Sequence, residues 1–139
     1  MKIILFVLTI LFAPLAYSID SDIRCLAKNI YHEARGETIK GQVAVALVTL
    51  NRSKHDDFPD SICSVVYEKG QFSWTSENYK ITHNEAWNNS VALAKQVLYG
   101  NIGQKILPNF KALYFHSSKV KPRWRLKSRP QRIGNHVFY

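Results

Sequence analysis

The sequence predicts an α+β domain, with helices first and a small antiparallel sheet last. Three observations carry that expectation. Apolar residues recur at helical spacing in separate stretches between Ile23 and Leu98. Those stretches open on residues that cap helices or close on glycine. From Leu113 onward the pattern shortens to that of strands, punctuated by Gly134-Asn135.

The first helix is expected to start at a cap formed by Asp20 or Ser21. Ile23, Leu26, Ala27, Ile30, Tyr31 and Ala34 then recur at helical spacing, and Gly36 offers a stop. A second helix is expected from Thr38 to about Arg52. Its segment Val43 to Val48 is apolar all round, which points to burial on every side. The β-branched content leaves a buried strand open there. Phe58-Pro59-Asp60 reads as a turn feeding a short helix through Ile62, Val65 and Val66. Gly70 to Tyr79 lacks a helical period and reads as a loop. A third long helix runs from about Asn84 to Tyr99, with Trp87, Val91, Ala94 and Leu98 on one stripe and Gly100 as terminator. Leu113-Tyr114-Phe115 reads as one strand. Ile133 to Phe138 reads as another, with Gly134-Asn135 as a turn or bulge.

The chain has 139 residues, room for one small domain. Lys2, the apolar run from Ile3 to Leu15 and the small residues of Ala16-Tyr17-Ser18 have the form of a secretory signal. The run falls short of the ~20 residues that span a bilayer, and Pro14 interrupts it. Residues 1–18 are therefore expected to be a signal peptide and residues 19–139 the working domain. Export to the periplasm, cell wall or exterior favours oxidation, so Cys25 and Cys63 are expected to form a disulfide. Two buried free thiols are the alternative. Lys and Arg outnumber Asp and Glu by 19 to 10, and no acidic residue follows Glu85. Such a one-signed field favours an anionic partner, here wall polymers or a membrane surface reached through the segment Lys119 to Arg132. A basic face that only confers solubility is the simpler reading of the same charges. Export turns the chain away from nucleic acid, and a monomer is expected.

Leu26, Ile30, Glu33 and Glu37 would share one helix face. A carboxylate on the border of an apolar stripe, near the helix end, is placed to look into a half-dry cleft. Partial desolvation raises a carboxyl pKa toward the range a general acid needs. The bland alternative is a surface pair between Glu33 and Arg35 or Lys40.

The run LAKNIYHEARGETIKGQVAVALVTLN from Leu26 to Asn51 resembles the opening motif of the SleB-type cell wall hydrolases. FPDSICSVVY from Phe58, GQFSW from Gly70, LYFH from Leu113 and RIGNHVFY from Arg132 follow in the family's order. The resemblance implies a lysozyme-like lytic transglycosylase architecture, with a groove between helices and a small sheet. It also implies cleavage of peptidoglycan glycan strands between N-acetylmuramic acid and N-acetylglucosamine. The first glutamate of its EARGE segment, Glu33 here, would be the catalytic acid/base. By the same resemblance the GQFSW loop would line the groove, Gln71, Ser73 and Trp74 toward substrate and Phe72 toward the core. Tyr114 and His116 would line the opposite wall. Phe72 and Trp74 as plain core anchors are the alternative.

Hydrolysis usually requires two carboxylates flanking the bond. Glu37 is the nearest second candidate, but a cap or a pair with Lys40 or Lys28 is the favoured role for it. Glu68 is expected at the surface. Arg132 is left open between a fold element and a carboxylate partner. No metal or other cofactor is expected: a second histidine four residues after His32 would be needed for a zinc helix, and Gly36 stands there. Two rivals remain, a non-catalytic basic wall-binding or membrane-active protein and a plain muramidase using the same site. A phage lysis role, a spore role and a housekeeping role could all share this domain, with a slight lean toward phage or Gram-negative use.

Overall fold

The computed structural model describes residues 13–82 and 84–139, with side chains from residue 21 onward. Most of the apolar run of the expected signal peptide, residues 3–12, lies outside the described residues. The elements in order are α1 (Ala13–Ala34), α2 (Ile39–Arg52), α3 (Ile62–Val66), a short 3-10 helix (Ser73–Ser76), α4 (Glu85–Tyr99), α5 (Ile102–Ile106) and strands β1 (Phe115–Ser117), β2 (Gln131–Ile133) and β3 (His136–Phe138). The expected α+β arrangement holds. Among the described residues no helix is long and apolar enough to cross a membrane.

The cap expected at Asp20 or Ser21 is not where α1 begins, because the backbone is already helical at Ala13. No glycine or proline between Leu15 and Asp20 interrupts it. At the other end the helix stops at Ala34, so Glu37 is not on its face as the spacing suggested. Instead Glu37 sits in the following turn, where its N–H donates to the Ala34 carbonyl at 2.9 Å. Thr38 caps α2 as expected, its hydroxyl accepting from the Gly41 N–H. Val43, Ala44, Val45, Ala46 and Val48 are fully buried, which settles the segment as a core helix. Burial of each such valine stabilises by very roughly 1.5–3 kcal/mol before chain entropy is counted. Asn29 of α1 donates from Nδ2 to Thr49 Oγ1 of α2 at 3.0 Å, a buried polar clasp between the two helices.

Ser61 caps α3, and Cys63 of that helix is bonded to Cys25 of α1 with Cα atoms 5.3 Å apart. The disulfide closes a loop of sequence separation 38 and holds α3, and the loop after it, against α1. On α4 the buried residues are Ser90, Leu93, Ala94 and Val97. The expected stripe is therefore rotated, with Trp87, Val91 and Leu98 packed at the edge of the core. The rotation brings the small Ser90 inward, its hydroxyl bonded back to the Ala86 carbonyl at 2.8 Å.

The sheet is antiparallel in the order β1-β3-β2. Its first strand begins two residues later than expected. The Leu113 and Tyr114 N–H groups both donate to the Tyr139 carbonyl, an irregular pairing that continues the ladder without a regular strand. The expected last strand is a hairpin, β2 and β3, turning at Gly134-Asn135. Gly134 has φ +58, and a Cβ there would overlap Glu37 Oε2, so both the turn and the close approach require glycine.

Replacing both cysteines by alanine should cost about 4 kcal/mol, the chain-entropy value for a loop of this length. Thermal unfolding should then fall by more than ~10 °C, and a shift under a few degrees would show that the crosslink adds little to packing.

Candidate active site

Glu33 sits in the last turn of α1 and is half-buried. Desolvation is the main cause that raises its carboxyl pKa, and the nearby indole N–H of Trp74 opposes it by favouring the charged form. That Nε1 is buried without a hydrogen bond of ordinary geometry, so the opposition is weak and burial wins. Neither Arg35 nor Lys40 forms the surface pair with Glu33 that the sequence left open: the Arg35 Nη1 donates to the Tyr31 carbonyl at 3.1 Å and its guanidinium lies over the Tyr31 ring.

Glu37 has a different fate. Its side chain is 9% exposed, with Oε1 lying 3.8 Å from His136 Nδ1. Oε2 accepts the backbone N–H of Asn135 at 3.1 Å. His136 is held neutral, because burial depresses its pKa more than Glu37 lifts it. Glu37 thus docks the β2–β3 hairpin onto the turn after α1. The structural role holds, with partners other than the lysines expected.

The GQFSW loop divides. Phe72 is in the core, as expected. Trp74 is 8% exposed and stacks on His32 with ring centres 4.5 Å apart, while lining an open cleft of about 510 Å³. Ser73 is exposed at the start of the 3-10 helix. Gln71 is exposed, but its Oε1 accepts from Arg52 Nη1 at 3.0 Å, which commits part of its bonding capacity to the protein.

Sequence reasoning missed Arg52. It is buried, its Nε donates to the Leu113 carbonyl at 2.6 Å, and its guanidinium lies over Phe58, Phe72 and Tyr114. Glu68, expected at the surface, is half-buried and supplies one of the charges that favour ionised Arg52. The only hint in the sequence was a cation closing an otherwise apolar helix. Tyr114 and His116 do come together, in a cluster with Trp124 and Tyr139. The His116 ring stacks on Tyr139, its Nε2 lies 3.2 Å from the Tyr139 hydroxyl, and Tyr114 and His116 both pack on Trp124. Arg132 is exposed and donates from Nε to the Gly134 carbonyl at 3.4 Å. Among the described residues no group of His, Cys, Asp and Glu could hold a metal ion.

A family model described as Cell Wall Hydrolase matches residues 36–139. The chain belongs to the cell wall hydrolase family. Glu33 lies just before that match, but longer alignments span most of the chain. A spore cortex-lytic enzyme of Halalkalibacterium halodurans is 37% identical over 128 residues, 90% of this chain and 36% of that protein. One of Bacillus subtilis is 33% identical over 121 residues, 86% of this chain and 37% of that protein. The chain therefore spans little more than a third of the length of these relatives. Among solved structures, the catalytic domain of Bacillus cereus SleB is 32% identical with a TM-score of 0.64, covering 86% of this chain and 89% of that one. The catalytic domain of a germination-specific lytic transglycosylase SleB from Bacillus anthracis is 31% identical with a TM-score of 0.64, covering 84% and 92%. This cell wall hydrolase domain shares their helix-rich fold with its small antiparallel sheet.

Two predictions follow from the contrast between the glutamates. Folded protein holds the Glu33 proton more tightly than the unfolded chain does. Stability from this group is therefore complete below the unfolded pKa and is lost as pH rises through the folded one. Glu33→Gln should accordingly be more stable than wild type at pH 7, with the gap narrowing as pH falls through about 4 in chemical denaturation. A gap independent of pH would show that Glu33 is not desolvated. Glu37→Gln keeps an oxygen for the Asn135 N–H and should leave the midpoint of thermal unfolding within a few degrees of wild type. A fall of more than ~10 °C would show that the charge of Glu37, and not only its oxygen, holds the hairpin.

Proposed function

We propose that this domain cleaves peptidoglycan glycan strands between N-acetylmuramic acid and N-acetylglucosamine as a lytic transglycosylase, with Glu33 as its one acid/base. The observation that supports this most is the contrast between two neighbouring carboxyls. Glu33 is half-shielded with a raised pKa, whereas Glu37 is taken up by the hairpin. One carboxyl is sufficient for transglycosylation. Protonated Glu33 gives its proton to the glycosidic oxygen as the bond from C1 breaks. The resulting carboxylate takes the proton of the muramic C6 hydroxyl as that oxygen closes on C1. The product is a 1,6-anhydro end, no water is consumed, and Glu33 is returned protonated. The relative from Bacillus anthracis that bears the name lytic transglycosylase is in keeping with this chemistry.

Trp74 supports the same role. Its indole N–H lies near the Glu33 carboxyl and favours the charged form, the form that exists between the two half-reactions. Such a proton relay contributes about 10²–10⁴-fold to rate. The site acts outside the cytoplasm, where its substrate lies, and the N-terminal signal would take it there with cleavage after Ser18. Ser73, Tyr114 and His116 contribute polar and aromatic contacts along the strand, and Gln71 does so with the amide hydrogens that Arg52 leaves free.

Mass spectrometry of fragments released from purified sacculi tests the mechanism. Wild type should release muropeptides with anhydro-muramic ends, and Glu33→Gln should lower release at least ~10³-fold while binding sacculi normally. Reducing muramic ends alone would replace transglycosylation by hydrolysis at the same carboxyl. Full activity in Glu33→Gln would leave a wall-binding role in its place.

A further inference from the structure

We infer that the cleft beside Glu33 is a subsite for a carboxylate-bearing amino sugar, in which Tyr67 and Tyr79 receive sugar rings and Lys28 and Lys80 recognise a carboxylate carried by the muramic unit. This rests on the reading of Glu33 as the reacting group and adds to it the residues that choose the substrate.

The cleft is lined by Lys28, His32, Tyr67, Trp74, Tyr79 and Lys80, among others. Trp74 relates the cleft to the reacting carboxyl, since its indole N–H favours the charged form of Glu33, and His32 is the residue before Glu33 in the chain. Four aromatic rings meet here. His32 stacks on Trp74, Tyr79 lies 5.8 Å from His32, and Tyr67 lies edge-on to Trp74 at 6.0 Å. Trp74 and His32 form the floor, while Tyr67 and Tyr79 are 46% and 57% exposed. Tyrosines left this open on a floor of packed rings have no core to complete. Their apolar faces and polar tips suit the mixed surface of a pyranose. His32 contributes a neutral ring, since burial and the nearby Arg35 and Lys28 all lower its pKa.

Polar groups complete the chemistry. Asn78 lines the same cleft with an amide that can both donate and accept, as an N-acetyl group needs, and Thr75, whose hydroxyl donates to the Phe72 carbonyl at 2.7 Å, adds an acceptor. Lys28 Nζ is 3.2 Å from the Tyr67 hydroxyl, so the ammonium is held at the rim of a platform ring. Glu77 is the one acidic residue in the lining, and Lys28 and Lys80 outnumber it there. The net positive charge has no use for a neutral chitin-like chain. It fits a muramic unit, whose lactyl side chain ends in a carboxylate or continues into a peptide bearing carboxylates. Both sources present the same group to the lysines.

Binding of soluble strands to the Glu33→Gln protein, followed by Trp fluorescence, tests this without depending on cleavage. Three ligands are compared: a chitin oligosaccharide, a peptidoglycan strand stripped of its peptides by an amidase, and a peptide-bearing strand. The peptide-bearing strand should bind at least tenfold more tightly than the chitin oligosaccharide. The added changes Lys28→Ala and Lys80→Ala should erase that margin, and Tyr67→Ala with Tyr79→Ala should weaken all three ligands. A stripped strand that binds as tightly as the peptide-bearing one assigns the lysines to the lactyl carboxylate, and one that binds like chitin assigns them to the peptide. Equal binding of all three, or a margin that survives loss of both lysines, overturns the subsite. The basic segment from Lys119 is intact in every variant, so a margin due to it would persist and count against the proposal. Selective binding by the Glu33→Gln protein combined with normal cleavage by that same protein would sink the catalytic reading and leave the subsite standing.

Discussion

The Glu37 carboxylate ties together two parts of the chain that lie 98 residues apart, by accepting the Asn135 N–H at the tip of the last hairpin. The approach is so close that Gly134 admits no side chain, and the neighbouring imidazole of His136 is neutral. The sheet is too small to hold its place through its own pairing, since each strand is three residues long. Its position against the helices depends on this dock, on the burial of Ile133 and Phe138, and on Arg52 gripping the Leu113 carbonyl. With Glu37 so committed, Glu33 is left as the carboxyl near the end of α1 that the hairpin does not take up.

A second set of constraints shapes the surroundings of Glu33. The Cys25–Cys63 bond holds α3 against α1, and the loop that leaves α3 returns Trp74 to the α1 surface. That indole packs on His32, and its N–H favours the charged form of Glu33 against the desolvation that raises its pKa. Full exposure would return the group to an ordinary carboxylic acid pKa, and deeper burial would raise it further. Glu33 lies between these limits, partly buried with a raised pKa.

Aromatic residues fall into three groups. Phe72, Phe115 and Phe138 pack the core beneath the sheet. Tyr114, His116, Trp124 and Tyr139 gather separately. His32, Tyr67, Trp74 and Tyr79 form the cleft beside Glu33. A reading by motif favours the residues within recognised runs, so Trp74 was anticipated. Tyr67 and Tyr79 were not assigned to the cleft, because they meet it only when α3 and the loop after Trp74 fold back on α1.

Local pattern determined a good deal by itself. Thr38, Ser61, Asn84 and Gly100 mark helix ends, because capping is a property of a few adjacent residues. The apolar run Val43 to Val48 announced its burial, and the paired cysteines their bond. Period alone could not place the true face of α4, since Trp87 and Leu98 are apolar yet sit at the rim while Ser90 goes inside. Glu33 could be nominated from its place on an apolar border and from a resemblance. The burial that raises its pKa, the withdrawal of Glu37 and the burial of Arg52 required the fold. Desolvation and hydrogen bonding are set by atoms brought near from distant parts of the chain, and no window of neighbouring residues contains them.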